Sequence, residues 1–206
     1  RERLVIKIGV LEMQGGFALH HNILSQLGIS SVSVKSEQDL NLIDGLIIPG
    51  GESTTISLLI DSFGLRDSII KFSKEYPVMG TCAGLIMMAS KVSDMKVNPL
   101  GLLDISIDRN AYGRQIRSKI EKVSFNTSIG SFAPDIAFIR APKIIKFGKN
   151  ITVIGRFEGD PIAVLSDKYL GLSFHPEITH IKIFHQILFD PNCRYYYKNF
   201  NKNYAA

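Results

Sequence analysis

A cysteine with a glycine two residues to either side, Gly80-Thr81-Cys82-Ala83-Gly84, is the sharpest chemical feature of the sequence. The short β-type run Pro77 to Met79 leads into it and the apolar run Ala83 to Ala89 follows. The cysteine therefore falls where a strand turns directly into a helix. A nucleophile on so tight a turn has a crowded backbone, and flanking glycines remove the crowding. The positive end of the helix favours a thiolate. The N–H of Ala83, unpaired at the helix start, can face an oxyanion. The chemistry implied is attack on a carbonyl carbon through a covalent intermediate. On the pentapeptide alone, a cysteine merely buried in an apolar helix start competes with this reading.

Such a nucleophile needs a general base and a group to orient it. Of the histidines, His20 and His21 fall on an expected helix and read as surface residues, while His180 and His185 have no acid beside them in sequence. His175 differs. It closes the apolar run Leu170 to Phe174 and opens His175-Pro176-Glu177. Pro176 disfavours helical angles at His175, and in extended backbone residues two apart share a side. Glu177 is thus expected to reach the imidazole.

A third segment, Pro49-Gly50-Gly51-Glu52-Ser53-Thr54-Thr55, also follows an apolar run and opens a helix. Its glycines let backbone N–H groups turn toward a ligand, and Ser53 or Thr54 suits a helix cap. It lacks the Lys-Ser/Thr ending of a phosphate loop and the spacing of a dinucleotide fingerprint. A second backbone donor for the Cys82 oxyanion suits it better.

The elements that must carry these segments alternate. Strands are expected at Val5 to Leu11, Ser31 to Val34, Gly45 to Ile48 and Pro77 to Met79. Helices are expected at Phe17 to Leu27, Thr54 to Ile60, Leu65 to Phe72 and Ala83 to Ala89. This order predicts a doubly wound, flavodoxin-like parallel sheet in one α/β domain, with sites at the carboxyl ends of strands. From Leu102 the pattern becomes a β-rich extension: Leu102 to Ile107, Ile136 to Ile139, Ile144 to Phe147, Ile151 to Phe157, Ile162 to Leu165 and Leu170 to Phe174. Ile181 to Phe189 then closes it as a helix. The domain is expected over residues 1–190. Residues 191–206 are set apart as a tail, expected to be disordered or foreign to the domain.

Hydrophobic residues make up 45% and charged residues 21% of the 206-residue chain, the balance of a water-soluble globular protein. No apolar run approaches the roughly 20 residues of a membrane span. Lys7 and Glu12 break the signal-like pattern after Arg1-Glu2-Arg3, and a cytoplasmic protein is expected. Cys82 and Cys193 show no metal-ligand spacing with histidine, so no metal or other cofactor is expected. The net charge of +5 is concentrated between Arg109 and Arg156, where Glu121 and Asp135 are the acids. Without a nucleic-acid reading motif, that stretch reads as a solvated face or a docking surface for an acidic protein.

Taken together, Pro49 to Thr55, Gly80-Thr81-Cys82-Ala83-Gly84-Leu85 and Ser173-Phe174-His175-Pro176-Glu177 resemble the class I, or triad, glutamine amidotransferases. Gln14-Gly15, Arg109-Asn110-Ala111-Tyr112-Gly113-Arg114-Gln115 and Ile139-Arg140-Ala141-Pro142 narrow the resemblance to the glutaminase subunits of pyridoxal 5′-phosphate synthase. Met13 stands where that family usually has leucine, a nearly volume-conserving change. The resemblance implies Cys82 as nucleophile, His175 as acid and base, and Glu177 as its orienter. It also implies L-glutamine held by Gly51, Glu52, Ser53, Arg109, Ile139 and Arg140, with an oxyanion site at Gly51 and Ala83. Gln14 is implied at the contact with a barrel-shaped synthase subunit, which receives the ammonia and without which such subunits are weakly active. Two alternatives stay open: the glutaminase of another pathway, such as histidine biosynthesis, and a catalytically silent docking subunit.

Overall fold

A computed structural model describes residues 6–109 and 119–200. Four short strands, β1 (Lys7–Leu11), β2 (Ser30–Val34), β3 (Gly45–Ile48) and β4 (Val78–Thr81), alternate with helices. The helices are α1 (Phe17–Gln26), α2 (Glu37–Leu40), α3 (Ser53–Ser62), α4 (Arg66–Glu75) and α5 (Ala83–Met88). Later come β5 (Ala89–Val92), β6 (Leu103–Asp108), β7 (Lys119–Lys122), β8 (Phe125–Thr127), β9 (Gly130–Phe132), β10 (Asp135–Phe138) and β11 (Lys143–Phe147). The chain then forms β12 (Thr152–Phe157), β13 (Asp160–Ser166), β14 (Tyr169–Leu172), α6 (Ile183–Phe189) and α7 (Tyr197–Phe200).

The strand order of the main sheet is β2-β1-β3-β4-β14-β13-β12-β8-β9. From β2 to β14 every neighbour is parallel, which is the doubly wound order with β14 in fifth place. Beyond β14 the pairing turns antiparallel through β13, β12, β8 and β9, so much of the β-rich extension continues the same sheet. Two smaller sheets, β11-β6-β5 and β10-β7, complete it.

Alternation along the central strands feeds two cores. Leu46 and Ile48 of β3 face one side, with Ile56, Ile60, Ile69 and the buried α5. Ile47 faces the other, with Leu24 of α1 and Phe184 and Ile187 of α6. A parallel strand buried on both faces must be apolar throughout, as β3 is. α5 lies so close to the sheet that a Cβ on Gly84 would overlap the Ile48 carbonyl, and one on Gly80 would crowd the Gly84 carbonyl. The glycines flanking Cys82 thus serve packing as well as the turn.

Four differences from the expected elements have physical causes. β14 ends at Leu172: Ser173 still donates to Ile162 in the register of β13, but His175 then donates to Ala137 of β10 and the chain leaves the ladder. β5 follows α5 immediately, where the sequence reads as continued helix to Ala89. α2 and β7 to β9 carry too few apolar residues to announce themselves. After Asp190 the chain remains packed, with Tyr197 and Phe200 of α7 buried against the α1–α6 core.

Candidate active site

Cys82 occupies the junction of β4 and α5 with φ of 49° and ψ of −104°, a left-handed backbone rare outside glycine. The strain is held from both sides: the Cys82 N–H donates to Leu172 at 2.8 Å, and its carbonyl accepts from Ile86 at 3.2 Å. The side chain is 8% exposed, and its Sγ lies 3.8 Å from the Ile139 carbonyl. α5 is only six residues long, so the free N–H of Ala83 at its first turn contributes more locally than a summed dipole.

Leu172 ends beside Thr81 in the parallel ladder, which carries His175 to the same edge as Cys82. His175-Pro176-Glu177 forms a turn rather than extended chain, and Nδ1 of His175 lies 2.6 Å from Oε1 of Glu177. The pair forms as expected, by a different backbone route. Glu177 is 1% exposed. Burial alone would raise its pKa, but the hydrogen bond with His175 outweighs this and the carboxyl is held below its usual range. Burial likewise disfavours the imidazolium of His175. Hydrogen bonds to Cys82 and Glu177, and their negative charge, overcome it and raise the pKa to about 10. A protonated His175 beside the sulfur is the arrangement that favours a thiolate.

The Pro49 to Thr55 loop leaves β3 next to this pair. A Cβ on Gly50 would overlap Cε1 of His175 and touch Cβ of Cys82, so only glycine fits there. The Gly50 carbonyl accepts from Gly16 at 3.0 Å, which sets the plane of the Gly50–Gly51 peptide. Gln14 fixes the next one: its Oε1 accepts from the Glu52 N–H at 2.7 Å. Glu52, not Ser53 or Thr54, caps α3, accepting from Thr54 and Thr55. Burial pushes its carboxyl up, but the Thr55 and Thr54 hydrogen bonds win and lower its pKa to about 2. Arg109, just past β6, binds Glu52 Oε1 at 2.7 Å, Thr54 Oγ1 at 2.7 Å and Asp94 Oδ2 at 2.8 Å. A nucleophile, a base, an orienter, a glycine loop and a carboxylate–guanidinium pair thus meet at one edge of the sheet.

The model of the SNO glutamine amidotransferase family matches residues 10–193. The chain belongs to that family. It is 40% identical to the pyridoxal 5′-phosphate synthase subunit PdxT of Brevibacillus brevis over 186 residues, 90% of this chain and 96% of the relative. It is 42% identical to the subunit of the same name from Dehalococcoides mccartyi, over 88% of this chain and 94% of that one. A crystal structure described as a glutamine amidotransferase superposes with a TM-score of 0.81 at 36% identity, covering 88% of this chain and 96% of that one. PurLQS of Thermotoga maritima shares the fold at a TM-score of 0.66 and 16% identity, covering 90% and 98%.

In this glutamine amidotransferase the residues anticipated from sequence fall into three groups. Cys82, His175, Glu177, Ala83 and the Ile139 carbonyl meet at the elbow, and Gln14 packs on Gly51 in the adjoining loop. Glu52 and Arg109 meet each other beside it, and Ser53 is buried with its hydroxyl lacking a hydrogen-bond partner among the described residues. Arg140 has a positive φ of 46° and an exposed side chain. Residues 110–115, the remainder of the arginine segment, lie outside the described residues. Among the described residues no cluster of His, Cys, Asp or Glu suits a metal ion, and no helix is long and apolar enough to cross a membrane.

One histidine lies elsewhere than the sequence suggests, and a second has a role that the sequence does not signal. His20, read as a surface residue, is fully buried, and so is His185, which the sequence left unassigned. For His20 the signal was present: it lies three and four residues before Ile23 and Leu24, on the same buried stripe of α1. Asp94, which holds Arg109, carried no sequence signal.

Proposed function

We propose that the chain hydrolyses L-glutamine to L-glutamate and ammonia as the glutaminase subunit of a pyridoxal 5′-phosphate synthase. The observation that carries the reading is the Cys82 elbow facing a His175–Glu177 pair, in a chain about 40% identical to PdxT subunits along nearly their whole length. The Cys82 thiolate attacks the carboxamide carbon, and N–H groups of Ala83 and Gly51 receive the oxyanion. His175 protonates the departing ammonia, leaving a γ-glutamyl thioester. It then takes a proton from water, which releases glutamate and frees the thiol. Arg109 and Glu52, with Ser53, Ile139 and Arg140, supply opposite charges and backbone groups suited to the α-carboxylate and α-ammonium of glutamine.

Ammonia released into water at neutral pH is mostly ammonium and no longer nucleophilic. An enclosed route into a barrel-shaped synthase subunit is therefore part of the proposal. Gln14, which already fixes the Glu52 amide, sits where docking could adjust the oxyanion loop. The test supplies glutamine labelled with 15N in its amide to the chain plus a pyridoxal 5′-phosphate synthase subunit, with the pentose and triose phosphates. Label in the product ring supports the reading. Label found only in free ammonia, with unlabelled product, overturns it and favours the glutaminase of another pathway.

A further inference from the structure

Behind the line Cys82–His175–Glu177 lies a second row of side chains that the hydrolysis above does not use. Glu177 aims Oε1 at His175, and its Oε2 is buried with no hydrogen-bond partner among the described residues. Nε2 of the fully buried His20, on α1, lies 3.6 Å from that oxygen. Nδ1 of His20 lies 2.9 Å from Nε2 of His185, fully buried on α6, whose own Nδ1 is unpartnered. Thr81 Oγ1, next to Cys82, is 3.4 Å from His20 Nε2. Two helices on one face of the sheet thus send an imidazole each, in series, to the back of the triad.

The tautomers follow by elimination. Burial disfavours charge on both rings and pushes each pKa down to about 3, so both are neutral. One proton lies between His20 Nδ1 and His185 Nε2. If His20 held it, His185 would carry its other proton on Nδ1, a buried donor with no acceptor. His20 would also turn a lone pair on the Glu177 carboxylate. If His185 holds it, only an acceptor is left unpaired, which costs less. His20 then carries its proton on Nε2, facing Glu177.

We propose that His20, oriented by His185, is a positioning residue whose Nε2–H serves as donor to Oε2 of Glu177 and keeps that carboxylate aligned with His175 during glutamine hydrolysis. A neutral donor suits the task, because it fixes the carboxylate without cancelling the charge that His175 needs. At 3.6 Å the contact exceeds hydrogen-bond length, and catalytic hydrogen bonds commonly tighten only in the substrate complex. The inference rests on the glutaminase reading.

The experiment compares wild type, His20→Leu, His20→Gln and His185→Leu, each with a pyridoxal 5′-phosphate synthase subunit, reading kcat and KM for glutamine from pH 5 to 9 and the melting temperature. The titratable groups facing Glu177 are His175 and His20, with His185 behind and Cys82 beyond His175. His20→Leu is expected to lower kcat roughly tenfold with KM nearly unchanged, the effect of losing one hydrogen bond to a charged group. Its acid limb shifts to higher pH, because a carboxylate that loses a donor is easier to protonate. His20→Gln, which returns an N–H near the Nε2 position, recovers most of both effects, and His185→Leu falls between. An unchanged acid limb in His20→Leu, or no recovery in His20→Gln, overturns the proposal. Wild type that releases no ammonia, or Cys82→Ala that still does, overturns the glutaminase reading and this inference with it. Normal wild-type and Cys82→Ala behaviour with an unaffected His20→Leu overturns this inference alone.

Discussion

Replacing Glu177 by Gln probes the triad with the least change of shape. The carboxylate is 1% exposed and 2.6 Å from His175 Nδ1, so the variant removes a charge from a dry site while keeping an acceptor in reach. A hydrogen bond to a charged group contributes about 1.5–3 kcal/mol, which converts to a loss of roughly 10- to 150-fold in kcat. If the amide presents its NH2 to Nδ1 instead, the imidazole is held in the wrong tautomer, and triads so disturbed lose up to about 10⁴-fold. KM for glutamine should stay within about twofold, because Glu177 lies behind His175, away from the sulfur. Steady-state glutamate production, measured with the synthase subunit present and with melting temperature as the folding control, reads both constants. A folded Glu177→Gln protein with kcat within twofold of wild type would refute the role assigned to this carboxylate.

Other substitutions separate packing from chemistry. Gly84→Ala forces a Cβ onto the Ile48 carbonyl, a backbone atom that cannot swing away. Overpacking of this kind costs about 1–3 kcal/mol, or roughly 2–12 °C of melting temperature in a chain of this size; an unchanged melting temperature counts against the packing account. Arg109→Gln leaves Glu52 without its guanidinium partner, so KM for glutamine should rise by roughly tenfold with kcat little changed. A fall in kcat at constant KM would place Arg109 elsewhere in the reaction. Buried His20 and His185, with pKa near 3 against about 6.5 unfolded, refuse protons that the unfolded chain accepts. Their contribution to stability is therefore intact above about pH 6.5 and lost as pH falls toward 3, at up to about 1.4 kcal/mol per pH unit for each ring. Urea midpoints at pH 7, 5.5 and 4.5 should fall steeply in wild type and more gently in the His20→Leu, His185→Leu double variant. Equal slopes would contradict the burial assignment.

The parts of this fold legible in the sequence are those where one local rule acts alone. Gly45–Ile48 reads as a buried parallel strand because all four residues are apolar or glycine and a Pro-Gly-Gly turn follows, and its bounds agree with the structure. The Cys82 elbow reads because chemistry and packing demand the same glycines. What was not legible depended on distant partners. β7 and β8 alternate Lys, Glu and Asn with single apolar residues and are strands only through pairing with β10, β9 and β12. His175 and Glu177 do meet, yet the backbone between them is a turn closed by the Ile178 N–H on the His175 carbonyl, with His175 itself anchored to Ala137 of the distant β10. His20 meets His185 across 165 residues of sequence, and no local pattern links them.

Ammonia release from glutamine by wild type and by Cys82→Ala, each with a pyridoxal 5′-phosphate synthase subunit, tests the central claim most directly. The account predicts turnover in wild type and none above background in Cys82→Ala, since no other cysteine lies at the elbow. Undiminished release by the Cys82→Ala protein would contradict it.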